Sequence, residues 1–201
     1  MSKSPRKRGR PVTVDKDAAL HALVELFRAK GFAAASLDDL SAATGLSRPS
    51  LYRAFGDKLS MYLAAMDAFG AEVAHKAAPE LFAHDSIETA LNAFYAAMID
   101  LYYRDADMAA GCLIFGTAPS SADEAAIQAR LQIGVGALDD LMRSRIKQAS
   151  PKATAAQVDA AVQVASNTLI AFSARAKSGA LKEELAGMGA HAADIVSELV
   201  R

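Results

Sequence analysis

Ser36–Lys58 reads SLDDLSAATGLSRPSLYRAFGDK. Ser36 and Asp39 have the spacing of a capping box and open a short helix. Leu40 is its apolar residue, and Ser41 is small enough for a close helix crossing. Gly45 falls where the chain must turn, at a position that needs positive φ. Leu46 plugs the turn, and Ser47 is placed to cap a second helix. Pro49 lies in that helix's first turn, where a missing N–H costs nothing. Leu51 and Phe55 anchor its inner side. Two short helices joined by a tight turn make a helix-turn-helix. Arg48, Ser50, Tyr52 and Arg53 are left pointing outward. Guanidinium groups match guanine edges in a major groove, and hydroxyls match phosphates. Lys58 opens the next helix, where an ammonium and backbone N–H groups together suit a phosphate. The alternative at this level is a polar helical hairpin with a solvated basic face.

These residues resemble the amino-terminal domain of TetR-family transcriptional regulators. The likeness covers about residues 14–62. It rests on Ala19–Phe32 (ALHALVELFRAKGF), the turn Thr44-Gly45-Leu46-Ser47, the phrase Leu51-Tyr52-Arg53-Ala54-Phe55, and Lys58. Ser41 departs from the alanine commoner there. The resemblance implies a recognition helix carrying Ser47, Arg48, Pro49, Ser50, Tyr52 and Arg53. Ser36 and Lys58 would hold phosphates. Double-stranded DNA is the implied partner, bound by a homodimer, with a small-molecule effector of unknown identity and a repressor's action. Beyond residue 62 the likeness is architectural, apart from Ala110-Gly111-Cys112-Leu113, a Gly-Cys-Leu phrase found in some branches of the family.

Residues 1–13 (MSKSPRKRGRPVT) carry five bases, no acid and two prolines, and are expected to be a flexible arm. Pro5–Pro11 resembles an AT-hook, in which Arg8 and Arg10 flank Gly9 along a narrow minor groove. A nonspecific basic tail is the alternative. The net charge of −1 hides an asymmetry: residues 1–58 hold 11 of the 22 Lys and Arg but 6 of the 23 acids. The amino-terminal part is thus +5 and the rest −6, which favours an anionic partner for the former.

The chain is 201 residues long and 52% hydrophobic, enough for a sizeable core. Alanine is abundant and period-2 alternation is lacking, so the expected fold is all-α, with about nine helices; the resemblance implies that it is TetR-like. The expected division is an arm at 1–13, a helix-turn-helix domain at 14–58, and a remainder at 59–201 that the resemblance implies is a ligand-sensing and dimerisation domain. A helix from 57 to about 75 links the last two. Asp15 or Asp17 starts the first helix and Gly31 ends it. Ser86 opens the fifth, and Pro79 marks a break. Ser121 with Glu124, and Thr154 with Gln157, read as further capping boxes.

Near the carboxy terminus, Val158, Val162, Ala165, Leu169, Phe172 and Ala176 alternate spacings of 4 and 3, as do Leu185, Met188, Ala192, Ile195 and Leu199. A 3.5-residue repeat is a seam for another helix. Either the hairpin docks on its own core or it pairs with a second copy; the expectation adopted is a dimer interface through Val158, Val162, Leu169, Phe172, Leu185, Met188, Ala192, Ile195 and Leu199. An apolar pocket is expected from Phe69, Phe94, Tyr95, Met98, Tyr102, Cys112, Phe115 and Asn167, though aromatic stripes at helical spacing also serve as plain core.

The single Cys112 excludes a disulfide framework and a Cys-rich metal site. His21, His75, His84 and His191 form no pair with metal-ligand spacing, so neither metal nor cofactor is expected. Cys112 lies in an apolar stretch, which favours an inert thiol over an electrophile sensor. No catalytic constellation stands out, so the chain is not expected to be an enzyme. A helical protein-binding adaptor is the other class kept open. No apolar run is long enough to span a membrane, no secretory signal is visible, and a cytoplasmic location is expected.

Overall fold

The computed structural model describes residues 15–104 and 110–201. The arm with Arg8 and Arg10 lies outside the described residues. Among those described there are nine α-helices and no strand, as the composition led one to expect. The helices are α1 (Lys16–Ala34), α2 (Leu37–Thr44), α3 (Arg48–Phe55), α4 (Lys58–Lys76), α5 (Ile87–Tyr103), α6 (Leu113–Thr117), α7 (Ala125–Ala149), α8 (Ala155–Lys177) and α9 (Lys182–Leu199). Short 3-10 turns at Ala78–Phe82 and Ala118–Ser121 precede α5 and α7. None of these helices is long and apolar enough to cross a membrane.

Caps set most of the starts. Asp15 accepts from the Ala18 N–H at 3.0 Å, Asp57 from Ser60 at 2.8 Å, and Ser86 from Thr89 at 3.1 Å. Ser36 with Asp39, and Thr154 with Gln157, form complete capping boxes. Each such cap contributes about 1 kcal/mol. Ser121 and Glu124 do not. The 3-10 turn Ala118–Ser121 takes up Ser121, which is buried, and Glu124 itself precedes α7 without a side-chain cap. Gly31 breaks the helical run of α1 at φ 75°, but three more residues follow before the helix ends.

The core forms where α9 packs against both α5 and α8, and where α1 crosses α4. Phe27 of α1 meets Tyr62 of α4 edge to face at 5.0 Å, an arrangement that complements the ring quadrupoles. Tyr95 of α5 packs on Phe172 of α8 and donates its hydroxyl hydrogen to the Ala165 carbonyl at 3.0 Å. Gly189 lets α9 close on this pair: a Cβ there would sit 3.0 Å from the Tyr95 ring. The break at Pro79 is held by buried Arg145, which donates to the carbonyls of Leu81 (2.7 Å), His84 (2.6 Å) and Asp85 (2.9 Å).

This packing corrects the seam. Val158, Val162, Leu169, Phe172 and Leu185 are 0–2% exposed within one protomer. A 3.5-residue stripe serves a helix hairpin's own contacts as well as it serves a partner chain, and here it faces inward. Ala192 is also buried, at 5% exposure, although its edge borders the outer surface. Met188 and Leu199 are half-buried, and Ile195 is 48% exposed.

Candidate functional site

The α2–α3 unit is fixed from below. Leu40 and Leu51 are fully buried, and Gly45 takes φ 67° at the end of α2. The Thr44 hydroxyl donates to the Leu40 carbonyl at 2.7 Å and accepts from the Leu46 N–H at 3.3 Å, which pins the turn. Ser47 stands at the N-cap of α3, but its side chain caps nothing; its hydroxyl shares a hydrogen bond with Ser50 at 3.0 Å. Arg48, Pro49, Tyr52 and Arg53 are exposed along one face, and Ser50 is half-buried beside them. Tyr52 is 46% exposed, unusual for a large ring. Arg53 has no hydrogen-bond or ion-pair partner among the described residues.

Two neighbours shape this face. Arg48 is held by Asp38 of α2 through Nε (3.1 Å) and Nη2 (2.5 Å). Lys58 of α4 lies 4.7 Å over the Phe32 ring and donates to the Ala33 carbonyl at 3.4 Å. Ser36 departs from the expected phosphate-holding role. Its N–H and its hydroxyl both donate to Asp39, at 2.9 and 2.8 Å, so neither hydrogen is left for a phosphate. Lys30 bonds the same carboxylate at 2.6 Å. That bond, followed by those from Ser36, holds the Asp39 carboxyl well below the usual carboxylate range.

A cavity of about 450 Å³ opens between α4, α5, α6 and α7. Of the expected pocket residues, Phe69, Phe94, Met98, Cys112 and Phe115 line it. Tyr95, Tyr102 and Asn167 do not. Tyr95 is committed to α8, as described above. Tyr102 is buried behind the wall, and Asn167 sits exposed on the outer side of α8 near Gln163.

The α7 wall was missed: Ile133, Gly134, Ala137 and Leu141 face the cavity with Arg130 at its rim. The signal was present in Ile133, an apolar residue off the main stripe of α7 with small residues beside it. From α4, Met66, Asp67, Gly70 and Val73 complete the wall. Asp67 and Arg130 pair across the rim, at 2.9 and 3.0 Å.

A second group outside the expectation joins α1 to the cavity wall. Arg28 is 1% exposed. Its Nε donates to the Gly111 carbonyl (3.1 Å), its Nη2 to Leu101 (2.9 Å) and Tyr102 (3.2 Å), and its Nη1 to Glu25 (2.7 Å). Those carbonyls end α5 and precede α6. Arg104 bridges Glu25 of α1 and Glu72 of α4. The Tyr62 and Thr117 hydroxyls share a hydrogen bond at 2.6 Å, tying α4 to α6. Burial pushes the Cys112 thiol up, against the lowering effect of the Phe115 and Ile114 N–H groups.

Comparison with known proteins agrees with this architecture. Residues 19–65 match the profile of bacterial regulatory proteins of the tetR family. The HTH-type transcriptional repressor ComR of Escherichia coli (strain K12) is 36% identical over 123 residues, 59% of this chain and 58% of that protein. An uncharacterized HTH-type transcriptional regulator of Bacillus subtilis (strain 168), YezE, is 28% identical over 110 residues, 55% of this chain and 56% of its own. The match thus spans just over half the length of these curated relatives.

Among solved structures, a cysteine mutant of the TetR family regulator CifR, complexed with 26-bp operator DNA, superimposes with a TM-score of 0.78 at 23% identity, covering 92% of this chain and 98% of that one. A TetR-family regulator from Streptomyces coelicolor gives 0.75 at 17%, covering 92% and 95%. At such identities the likeness is one of fold. The matched profile lies over the helix-turn-helix and the same fold recurs around it: residues 19–65 match the tetR family of bacterial regulatory proteins, and the described chain has the fold of TetR-family regulators.

Proposed function

We propose that this chain is a DNA-binding transcriptional repressor that grips a palindromic duplex site as a homodimer and lets go when a small molecule fills its cavity. The observation that carries the reading is the exposed face of α3, with Arg48, Tyr52 and Arg53 side by side on a helix whose turn and inner side are immobilised. Such a face reads base edges, while Lys58 and Ser47 at neighbouring helix starts take backbone phosphates. The repressor relative and the operator-bound CifR structure support this reading. The arm's Arg8 and Arg10 add contacts in the adjacent minor groove. The working division is the arm at 1–13, the DNA-binding unit at 14–58 and the sensing and dimerising unit at 59–201.

The outer face of α8 and α9 supports dimerisation. Val164, Thr168, Met188, His191 and Ile195 form a shallow apolar groove there. Two copies joined through it place two α3 helices about one DNA turn apart, roughly 34 Å. The cavity is of small-molecule size and mostly apolar. A ligand favouring a different α3 spacing weakens DNA binding by linkage. Helix α4 is the lever, because Lys58 lies at one end and Asp67, Phe69 and Val73 face the cavity further along.

Selection of bound sequences from random duplex DNA tests the proposal. The expected product is a two-fold symmetric site whose affinity falls steeply with salt. Recovery of no preferred sequence, with a flat salt response, overturns it in favour of a protein-binding adaptor.

A further inference from the structure

The rim of the cavity carries the one pair of opposite charges among its described lining residues, and that pair has the geometry of a ligand contact. The Arg130 guanidinium of α7 faces the Asp67 carboxylate of α4 with two parallel contacts, Nη1 to Oδ1 at 2.9 Å and Nη2 to Oδ2 at 3.0 Å. This is the fork that a guanidinium offers to any carboxylate. Both partners are partly exposed, at 41% and 53%. An ion pair in that setting stabilises little and exchanges readily. Ile133, 61% exposed, sits on the same wall and offers apolar surface to a ligand on its way in.

The sign of the ligand's charge follows from what stands behind the wall. The Arg28 guanidinium lies 5.4 Å over the ring of Phe69, which lines the cavity. The Lys177 ammonium donates to the Gly116 carbonyl at 3.1 Å, just beyond Cys112 and Phe115. Arg28 is paired with Glu25, but Lys177 meets no carboxylate among the described residues, so the charge behind the wall is net positive and disfavours a cationic ligand. On the reading that this cavity is the effector site, we infer that the effector is an apolar monocarboxylate, its body among the aromatic and aliphatic side chains and its carboxylate replacing that of Asp67 on Arg130. The exchange removes an ion pair that ties α4 to α7, and α4 is the helix that carries Lys58 to the DNA face. Effector chemistry and release are thereby the same event.

Calorimetric titration of the full chain with decanoate, decanol and decyltrimethylammonium tests this. Decanoate is expected to bind about tenfold more tightly than decanol, and the cation most weakly. Arg130→Gln reduces decanoate to the level of decanol. Asp67→Asn tightens decanoate about threefold, because the internal competitor is gone; a merely structural role for the pair does not produce that gain. Thermal melts check that both variants fold. Equal binding of decanoate and decanol, strongest binding of the cation, an Arg130→Gln variant that keeps the preference, or no binding of any probe each overturns the inference. The DNA-binding reading is decided separately, by mobility shift of the ligand-free protein on its selected site.

Discussion

The Arg28 side chain leaves α1 and hydrogen-bonds the carbonyl of Gly111, 3.1 Å away and 83 residues later. The next residue, Cys112, is part of the cavity wall. One buried guanidinium therefore joins α1, which packs on the helix-turn-helix, to the wall of the cavity. Its burial lowers its pKa, against the raising effect of Glu25, but four hydrogen bonds hold it in place. Arg28→Met leaves three carbonyls without a donor. The expected loss of stability is about 3 kcal/mol in urea denaturation. Arg28→Lys recovers only part of it, since an ammonium lacks the planar fork. A change below about 1 kcal/mol for Arg28→Met would show that water replaces the contacts at no cost.

On the DNA face, Arg53 and Arg48 start from different positions. Arg53 is unengaged among the described residues, whereas Arg48 is paired with Asp38, and the pairing raises its pKa. Arg53→Ala is expected to weaken specific binding roughly 10- to 100-fold with an unchanged melting temperature. Asp38→Asn works in the other direction. It frees Arg48 and removes a negative charge beside the phosphates, so affinity rises several-fold at low salt and the gain shrinks as salt is added. Mobility shifts at two ionic strengths separate these outcomes, and a loss of affinity in Asp38→Asn would mean that Asp38 positions Arg48 for its base.

The helix-turn-helix was legible because its determinants are local. Caps at Ser36 and Asp57, the left-handed Gly45, and Leu40 and Leu51 at fixed offsets all lie within 23 residues of one another. The cavity was half legible. Phe69, Phe94, Met98, Cys112 and Phe115 stood out as bulky or reactive, but the opposite wall comes from α7, and no local pattern says which face of a long helix a distant cavity borders. Asp67 and Arg130 are 63 residues apart, and Arg28 bonds carbonyls 73 to 83 residues away. Val158, Val162, Leu169, Phe172 and Leu185 turned inward for a physical reason: packing inside a hairpin and packing between chains impose the same period, and only burial separates them from Met188 and Ile195 on the outer face.

Gly45 gives a local test. Its φ of 67° is strained for any residue with a Cβ, though no neighbour lies within 4 Å of the place a Cβ would take. Gly45→Ala is therefore expected to cost about 1 kcal/mol from backbone conformation alone. Asn tolerates this region better than most residues, so Gly45→Asn is expected to lose less than Gly45→Ala. Equal losses for the two would place the cost in sterics rather than in φ.

Acid stability follows from two carboxylates. Asp39 is held low chiefly by Lys30 and then Ser36. For Glu72, burial acts upward, but hydrogen bonds from Arg104 and then Lys76 outweigh it, and the net shift is downward. Both are depressed in the folded state. Their stabilisation is therefore complete above the unfolded carboxylate range, roughly pH 4, and drains away as pH falls through the lower folded values. The melting temperature is expected to drop on acidification below that range. Glu72→Gln, which takes the Glu72 carboxylate away from Arg104, should be less stable near neutrality and lose less on acidification. Parallel curves for the wild type and Glu72→Gln would assign the acid response elsewhere.

Cys112 decides between an inert wall residue and a chemical sensor. Its thiol is 2% exposed, and burial raises its pKa above the ordinary value. The thiolate is the nucleophile, so at neutral pH the folded protein presents little of it, behind a wall that must open first. Iodoacetamide is expected to alkylate native Cys112 far more slowly than the same residue in urea, and the native rate should climb only as pH passes above the ordinary thiol range. Cys112→Ser is expected to bind operator DNA like the wild type and to respond alike to added alkylating agent. Rapid alkylation at neutral pH that releases wild-type protein from DNA but leaves Cys112→Ser bound would reverse the assignment and make the thiol the sensing group.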